Sequence, residues 1–256
     1  MLILGLLLGA QTGCSPTTTP PEVKGSFEDA QKLYDQGHSD QAKLLLESLR
    51  VKKPADVKIH ALLGRIYKEE GDTDLAIVEL EGVVNLDPEN DNAYATLARL
   101  YQDKGLFDQA LASALQARKL DPTGASVYNI LGSVYFDKGD YDSAVTNYEK
   151  ALTLKQDSAW VNNNLGLVYI QMKKWPEAQA HLKEAIKDDP DNAVAHNNMG
   201  VVLGEQGEYD KALKEFQTAH DLDPDYDKAT QNIKDTEKII ERMKKKQAAQ
   251  LKGQPH

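Results

Sequence analysis

One cysteine stands in 256 residues, so no disulfide can close within the chain. Aromatic residues make up 7% of the total, with two Trp and four Phe, which leaves the core to Ala, Leu, Val and Ile. Positive charge is also short: 30 Lys and Arg stand against 40 Asp and Glu, a net charge of -10 that argues against non-specific binding to phosphate backbones. Long apolar runs are missing. The one unbroken stretch, residues 1–10, is too short to span a bilayer. No Walker loop, GxGxxG, GxSxG or HExxH motif occurs, and the six His residues are scattered with no Asp, Glu or Cys at metal-ligand spacing. These absences exclude an internal disulfide scaffold and point away from nucleic acid as a partner. They point away from an enzyme, a bound cofactor or a small-molecule substrate.

What is there is a period. Ala42, Ala76, Ala110, Ala144, Ala178 and Ala212 recur every 34 residues with no insertion. Twelve places before each stands a small residue: Ala30, Gly64, Ala98, Gly132, Gly166 and Gly200. Three places after that comes a bulky one: Leu33, Tyr67, Tyr101, Tyr135, Tyr169 and Leu203. Each unit shows two runs of helix-spaced apolar residues with a turn between them, marked by Gly37, Gly71, Gly105, Gly139 and Gly207. Pro54, Pro88, Pro122, Pro190 and Pro224 close the units, because proline cannot continue a helical hydrogen-bond ladder. The units are 23–56, 57–90, 91–124, 125–158, 159–192 and 193–226. A single helix pair cannot bury its apolar face alone, so the units must stack into one continuous core.

The 34-residue pattern resembles the tetratricopeptide repeat (TPR) family. The resemblance implies an all-α fold: an α-solenoid superhelix of six 34-residue helix pairs, with residues 227–252 as a C-terminal capping helix and basic tail. Three departures stand out. Repeat 1 has Ser26 and Asp29 where large apolar residues are usual. Repeat 4 has Gln156 in place of proline, and repeat 5 has Lys173 in place of the turn glycine. If that turn needs positive φ, Lys173 costs about 1 kcal/mol. Ile233 is placed like the leucines of earlier first helices, so residues 227–252 read as a cap. Lys244, Lys245 and Lys246 at its end leave a docking or membrane-surface role open.

Residues 1–21 carry no charge. The apolar stretch, a polar patch, Gly13 and then Cys14 resemble a bacterial lipoprotein signal, with 1–13 as signal peptide and Cys14 as lipidated N-terminus. Gln11 and the lack of a positive n-region depart from that pattern, and a plain tail with a stray Cys is the other reading. Residues 15–22, SPTTTPPE, form a tether. Under the lipoprotein reading Ser15 directs export to the outer membrane, with the repeats facing the periplasm.

The TPR resemblance implies that the first helices line a groove, mainly through the second, fifth, sixth, ninth, twelfth and thirteenth positions of each unit. Those positions hold Asn129, Asn163 and Asn197, then Asn164, Asn198 and Asn232. Side-chain amides at solenoid spacing could hydrogen-bond the main chain of an extended peptide; solvent-facing filler is the alternative. Lys58, Arg65, Lys68 and Arg99 make the first half of the groove basic, which suits an anionic partner segment, unless Glu69 and Asp103 simply pair with them. Trp160 is placed at the rim as an anchor or as packing on repeat 4. Phe27, Tyr34 and Phe136 are further groove candidates. Trp175 aligns with turn aromatics and reads as core. His60 and His196 share a position occupied elsewhere by Tyr94 and Tyr128, and read as packing residues.

A lipid-anchored chain of six TPRs with a cap resembles the PilF/PilW/Tgl pilotins of type IV pilus systems. That resemblance implies an outer-membrane partner, the pilus secretin, and no nucleotide or metal. A TPR adaptor recruiting a periplasmic hydrolase or protease, and a component of an outer-membrane protein or polysaccharide export machine, are the alternatives.

Overall fold

The computed structural model describes residues 24–154 and 159–252. Residues 1–23 lie outside it, and with them Cys14 and the tether; so do Gln156 and the last four residues.

The described residues form thirteen helices and no strand. Six antiparallel pairs follow one another: α1 (Phe27–Asp35) with α2 (Ser39–Lys52), α3 (Val57–Glu70) with α4 (Thr73–Leu86), and α5 (Asp91–Asp103) with α6 (Phe107–Leu120). Then come α7 (Ala125–Asp137) with α8 (Tyr141–Leu154), α9 (Ala159–Gln171) with α10 (Trp175–Asp188), and α11 (Ala193–Glu205) with α12 (Tyr209–Leu222). The long α13 (Asp227–Lys252) ends the array. Each helix packs chiefly on its neighbours in sequence, and the first helices of successive pairs also touch.

Local chemistry sets the boundaries. Asn90 and Asn192 cap α5 and α11 by accepting from the Ala93 and Ala195 amides at 3.0 Å. Five of the intra-pair turns place a glycine at φ between 71° and 82°, and the sixth holds Lys173 at φ 57°. The turn does need the left-handed conformation, and Lys173 adopts it at a cost a glycine would not incur. Ser26 and Asp29 also find their explanation here. They form a capping box, in which the Asp29 amide donates to Ser26 Oγ at 3.2 Å and Asp29 Oδ2 accepts from the Ser26 amide at 2.8 Å. The first helix therefore starts late and runs only 9 residues.

Small residues at the helix crossings are required by contact. A Cβ on Gly200 would lie 2.5 Å from the Phe216 ring, and one on Gly166 would lie 2.6 Å from Leu182. Together with Ala30, Ala42, Ala110, Ala144, Ala178 and Ala212, all fully buried, they bring paired helices close enough for Leu and Val to interdigitate. α13 covers the last apolar face: Ala229 and Thr236 are buried and Ile233 packs against the cluster that includes Met199, Leu203 and Phe216. Residues 241–250 of the same helix are exposed throughout, so the cap occupies only its first half. No helix among the described residues is long and apolar enough to cross a membrane.

Candidate functional site

The face built by the first helices has two linings. From α1 to α5 it is charged. Lys58, Arg65, Lys68 and Arg99 are all exposed there, and none forms an ion pair within the described residues. The carboxylates expected to neutralise them do not. Glu69 accepts from the Tyr34 hydroxyl at 2.6 Å, and the Arg65 guanidinium lies over the Tyr34 ring, 5.9 Å from its centroid. Burial and the bond to Glu69 push the Tyr34 phenol above its ordinary range. Tyr34 is thus a support for Arg65 rather than an open contact. Phe27 is half-buried against the first core cluster and shares a depression of about 300 Å³ with Gln31, Lys58 and Arg65.

From α7 to α13 the lining is amide and apolar, and here the structure departs from an open ladder of asparagines. Asn163, Asn197 and Asn198 are buried. The fifth-position amide of one repeat pairs with the sixth-position amide of the next. Asn198 Nδ2 donates to Asn163 Oδ1 at 3.0 Å, and Asn232 Nδ2 donates to Asn197 Oδ1 at 2.8 Å. The cause is simple: residues one repeat plus one position apart face each other across stacked helices, so Asn163 Oδ1 and Asn197 Oδ1 each accept a bond within the solenoid and only part of the amides' hydrogen-bonding capacity is left for a ligand. Only the rung from Asn164 to Asn129 is open. Both residues are half-buried, and Asn129 Oδ1 has no hydrogen-bond partner. The sequence carried the signal in the spacing of 35 between partners, which reading by equivalent positions alone overlooks.

The two linings meet at Trp160. It is 51% exposed and borders a depression of about 590 Å³ shared with Arg99, Asn129, Ile130 and Ser133. On the floor Gln102 Nε2 donates to Ser133 Oγ at 2.6 Å and to Asp137 Oδ2 at 2.5 Å, so Asp137 is engaged by an amide and not by Arg99. Trp160 thus stands free at the surface. Trp175, by contrast, is half-buried beside the last core cluster, and Phe136 tilts against Tyr141 with ring centroids 5.7 Å apart. His60 and His196 hold repeats together: each ring contacts a glutamate, at 2.7 Å, and the carbonyl of the preceding unit's proline, at 3.0 and 3.1 Å. Tyr128 reaches the Pro122 carbonyl at 3.0 Å from the same place. Among the described residues no group of His, Cys, Asp and Glu could hold a metal ion. The arrangement offers recognition surfaces, with unpaired guanidinium and ammonium groups at one end and an aromatic platform at the centre.

Four TPR family models match the chain, over residues 27–90, 67–133, 132–173 and 157–225. The chain belongs to the tetratricopeptide repeat family. Crystal structures of MamA are similar to it. One is 30% identical, covers 63% of this chain and 95% of that one, and gives a TM-score of 0.57. PilF of Pseudomonas aeruginosa shares the fold at 18% identity, over 80% of this chain and 93% of its own, with a TM-score of 0.65. YrrB, described as a TPR protein with an unusual peptide-binding site, is 18% identical with a TM-score of 0.58 over 74% of this chain and 97% of its own. No curated protein sequence matches the chain. The TPR fold is a protein-binding scaffold, and the two-part face of this member is where its chemistry differs along the array.

Proposed function

We propose that this TPR protein is an outer-membrane lipoprotein, anchored through Cys14 with its repeats in the periplasm. In this reading it holds a segment of a type IV pilus secretin and promotes the channel's assembly and placement. The observation that carries the reading is the order of parts: an apolar leader, Cys14, a Pro/Thr-rich tether, six helix pairs and a closing helix. The likeness of fold to PilF extends over 80% of this chain and 93% of the other. A lipid anchor would confine scaffold and secretin to one surface and raise their effective concentration, so a modest groove affinity would suffice. Binding, with no bond made or broken, is the whole of the activity proposed.

The greater sequence identity lies with MamA, so the pilus role rests on architecture. A deletion strain separates it from other scaffold roles: secretin multimers should be lost from the outer membrane, and normal multimers would sink the reading. Cys14→Ser tests the anchor independently and should move the protein from the membrane to the soluble periplasmic fraction.

A further inference from the structure

The groove cations of repeats 2 and 3 differ from several cations elsewhere in the first four repeats. Lys43, Arg50, Lys104 and Lys138 each hold an Asp or Glu. Lys58, Arg65, Lys68 and Arg99 hold none among the described residues, although the chain carries ten more acidic than basic side chains. Of the carboxylates nearby, Glu69 is held by Tyr34 and Asp137 by Gln102, while Asp103 borders the Arg99 depression without an ion pair among the described residues. Arg65 and Arg99 occupy the same position of adjacent first helices, and Arg99 also borders the Trp160 depression. A row of unpaired cations thus runs into an exposed aromatic platform along one face.

We propose that the occupant of this groove is an extended acidic segment of a protein partner, with side-chain carboxylates on Arg65 and Arg99 and a large apolar or aromatic side chain against Trp160. This deepens the scaffold reading and rests on it, but not on the pilus role. Guanidinium forks match carboxylates in two parallel hydrogen bonds, which favours acids over other acceptors. An extended chain rises about 3.3 Å per residue, so carboxylates spaced along it can reach two arginines that stand one repeat apart. Lys58 and Lys68 add field on either side, which steers the segment in and makes its capture salt-dependent. Trp160 supplies the desolvated anchor that a row of exposed charges lacks. A phosphate backbone is the poorer candidate, since its charge would continue past Arg99 onto a lining with no cation at the groove positions of repeats 4 to 6.

The test is selection of random decapeptides on the immobilised full chain at low salt. Acidic pairs accompanied by an aromatic or large aliphatic residue should be enriched. Arg65→Glu with Arg99→Glu should turn the preference to basic peptides, and Trp160→Ala should keep the acids but lose the apolar residue. For the best peptide, Arg65→Ala with Arg99→Ala should weaken binding at least tenfold. In a Trp175→Phe background Trp160 is the single tryptophan, and its emission should shift on binding. Thermal melts of each variant establish that it folds. No enrichment, enrichment without acids, or an unchanged preference in the charge-reversed variant would overturn the proposal. So would finding that the arginine substitutions alter only association between copies of this chain. Because the selection contains no secretin, its failure and the failure of the pilus reading are separate results.

Discussion

Repeats 2 and 6 carry the same clamp between their two helices, with different outcomes. In repeat 2, His60 meets Glu79 at 2.7 Å and the Pro54 carbonyl; in repeat 6, His196 meets Glu215 at 2.7 Å and the Pro190 carbonyl. The side chain of Glu79 is 2% exposed and that of Glu215 is 28% exposed. The difference lies one repeat back. Arg50 of α2 reaches over Glu79 and pairs with it, whereas Ile186 stands at the equivalent position of repeat 5. Arg50 thus adds a third member to the repeat 2 clamp, one that repeat 5 does not supply to Glu215. The same division runs through the molecule. Early repeats are joined by charge, as in Lys43 with Glu70 and Arg50 with Glu79; late ones by amides, as in Asn198 with Asn163 and Asn232 with Asn197. In a solenoid each interface contributes separately to stability, so the two kinds of joint can be broken one at a time.

The largest effect is expected at Arg50. Arg50→Met leaves Glu79 buried with His60 as its remaining partner, and should destabilise repeats 1 and 2 by about 3 kcal/mol, the low end for a broken buried pair because His60 remains. Adding Glu79→Gln should recover part of that loss. The reverse graft, Ile186→Arg, should change stability by less than about 1 kcal/mol, because Glu215 is already partly in water. Hydrogen exchange resolved by helix is the measurement. Equal losses from the two substitutions would erase the distinction between the clamps.

Next in size is an amide rung. Asn198→Ala removes the donor to Asn163 Oδ1 and leaves that acceptor buried and unpaired, at about 1–3 kcal/mol. Replacing Asn163 and Asn198 together by Leu should cost less than the sum of the single changes. The loss should be the same at low and high salt, unlike that at Arg50, where Debye screening intrudes. A salt-dependent loss at Asn198 would undo the contrast between charged and amide joints.

The repeat period and the helix boundaries near Gly71 or Pro88 could be read from the sequence, because each depends on local chemistry or on a strict 34-residue register; whether Lys58, Arg65, Lys68 and Arg99 pair with Glu69 or Asp103 could not. The cap at Ser26 shows in the sequence only as a departure from the apolar pattern, and its purpose appears once the mutual hydrogen bonds of Ser26 and Asp29 are seen. The bonds between asparagines of successive repeats are not visible when equivalent positions are compared one by one. Whether Asn163 faces a ligand or Asn198 depends on how far one repeat rotates on the next, and that rotation is set by packing across helices. The pairing of Glu79 with Arg50 has the same character, because the two lie 29 positions apart.

A smaller effect of opposite sign is expected at the one intra-pair turn without glycine. Lys173 holds φ 57°, where a Cβ crowds the backbone, and Lys173→Gly should stabilise the second half by about 1 kcal/mol. Gly139→Lys, its mirror in repeat 4, should cost a similar amount. A denaturation midpoint unmoved by either substitution would mean that the turn tolerates the side chain freely.

The smallest and most specific effect concerns the clamp with its partners exchanged. Repeat 5 has Asn162 where repeats 2 and 6 have His60 and His196, and His181 where they have Glu79 and Glu215. His181 Nδ1 donates to Asn162 Oδ1 at 3.0 Å, and its ring stacks on Tyr169 with centroids 5.5 Å apart. Burial lowers the pKa of His181 below the ordinary 6.5, with Glu149 pulling weakly the other way. Between the folded value and 6.5 the unfolded chain binds a proton that the folded chain refuses. The contribution of His181 is therefore complete above about pH 6.5 and is lost as pH falls through that value toward the folded pKa. His181→Gln keeps a hydrogen-bond donor without the titration, so the stability difference between wild type and variant should shift against the wild type on acidification, with the change in exchange confined to α9 and α10. A difference that stays flat from pH 7 to 5, a range spanning about one and a half units below the ordinary value, would show that His181 takes up its proton as readily when folded as when unfolded.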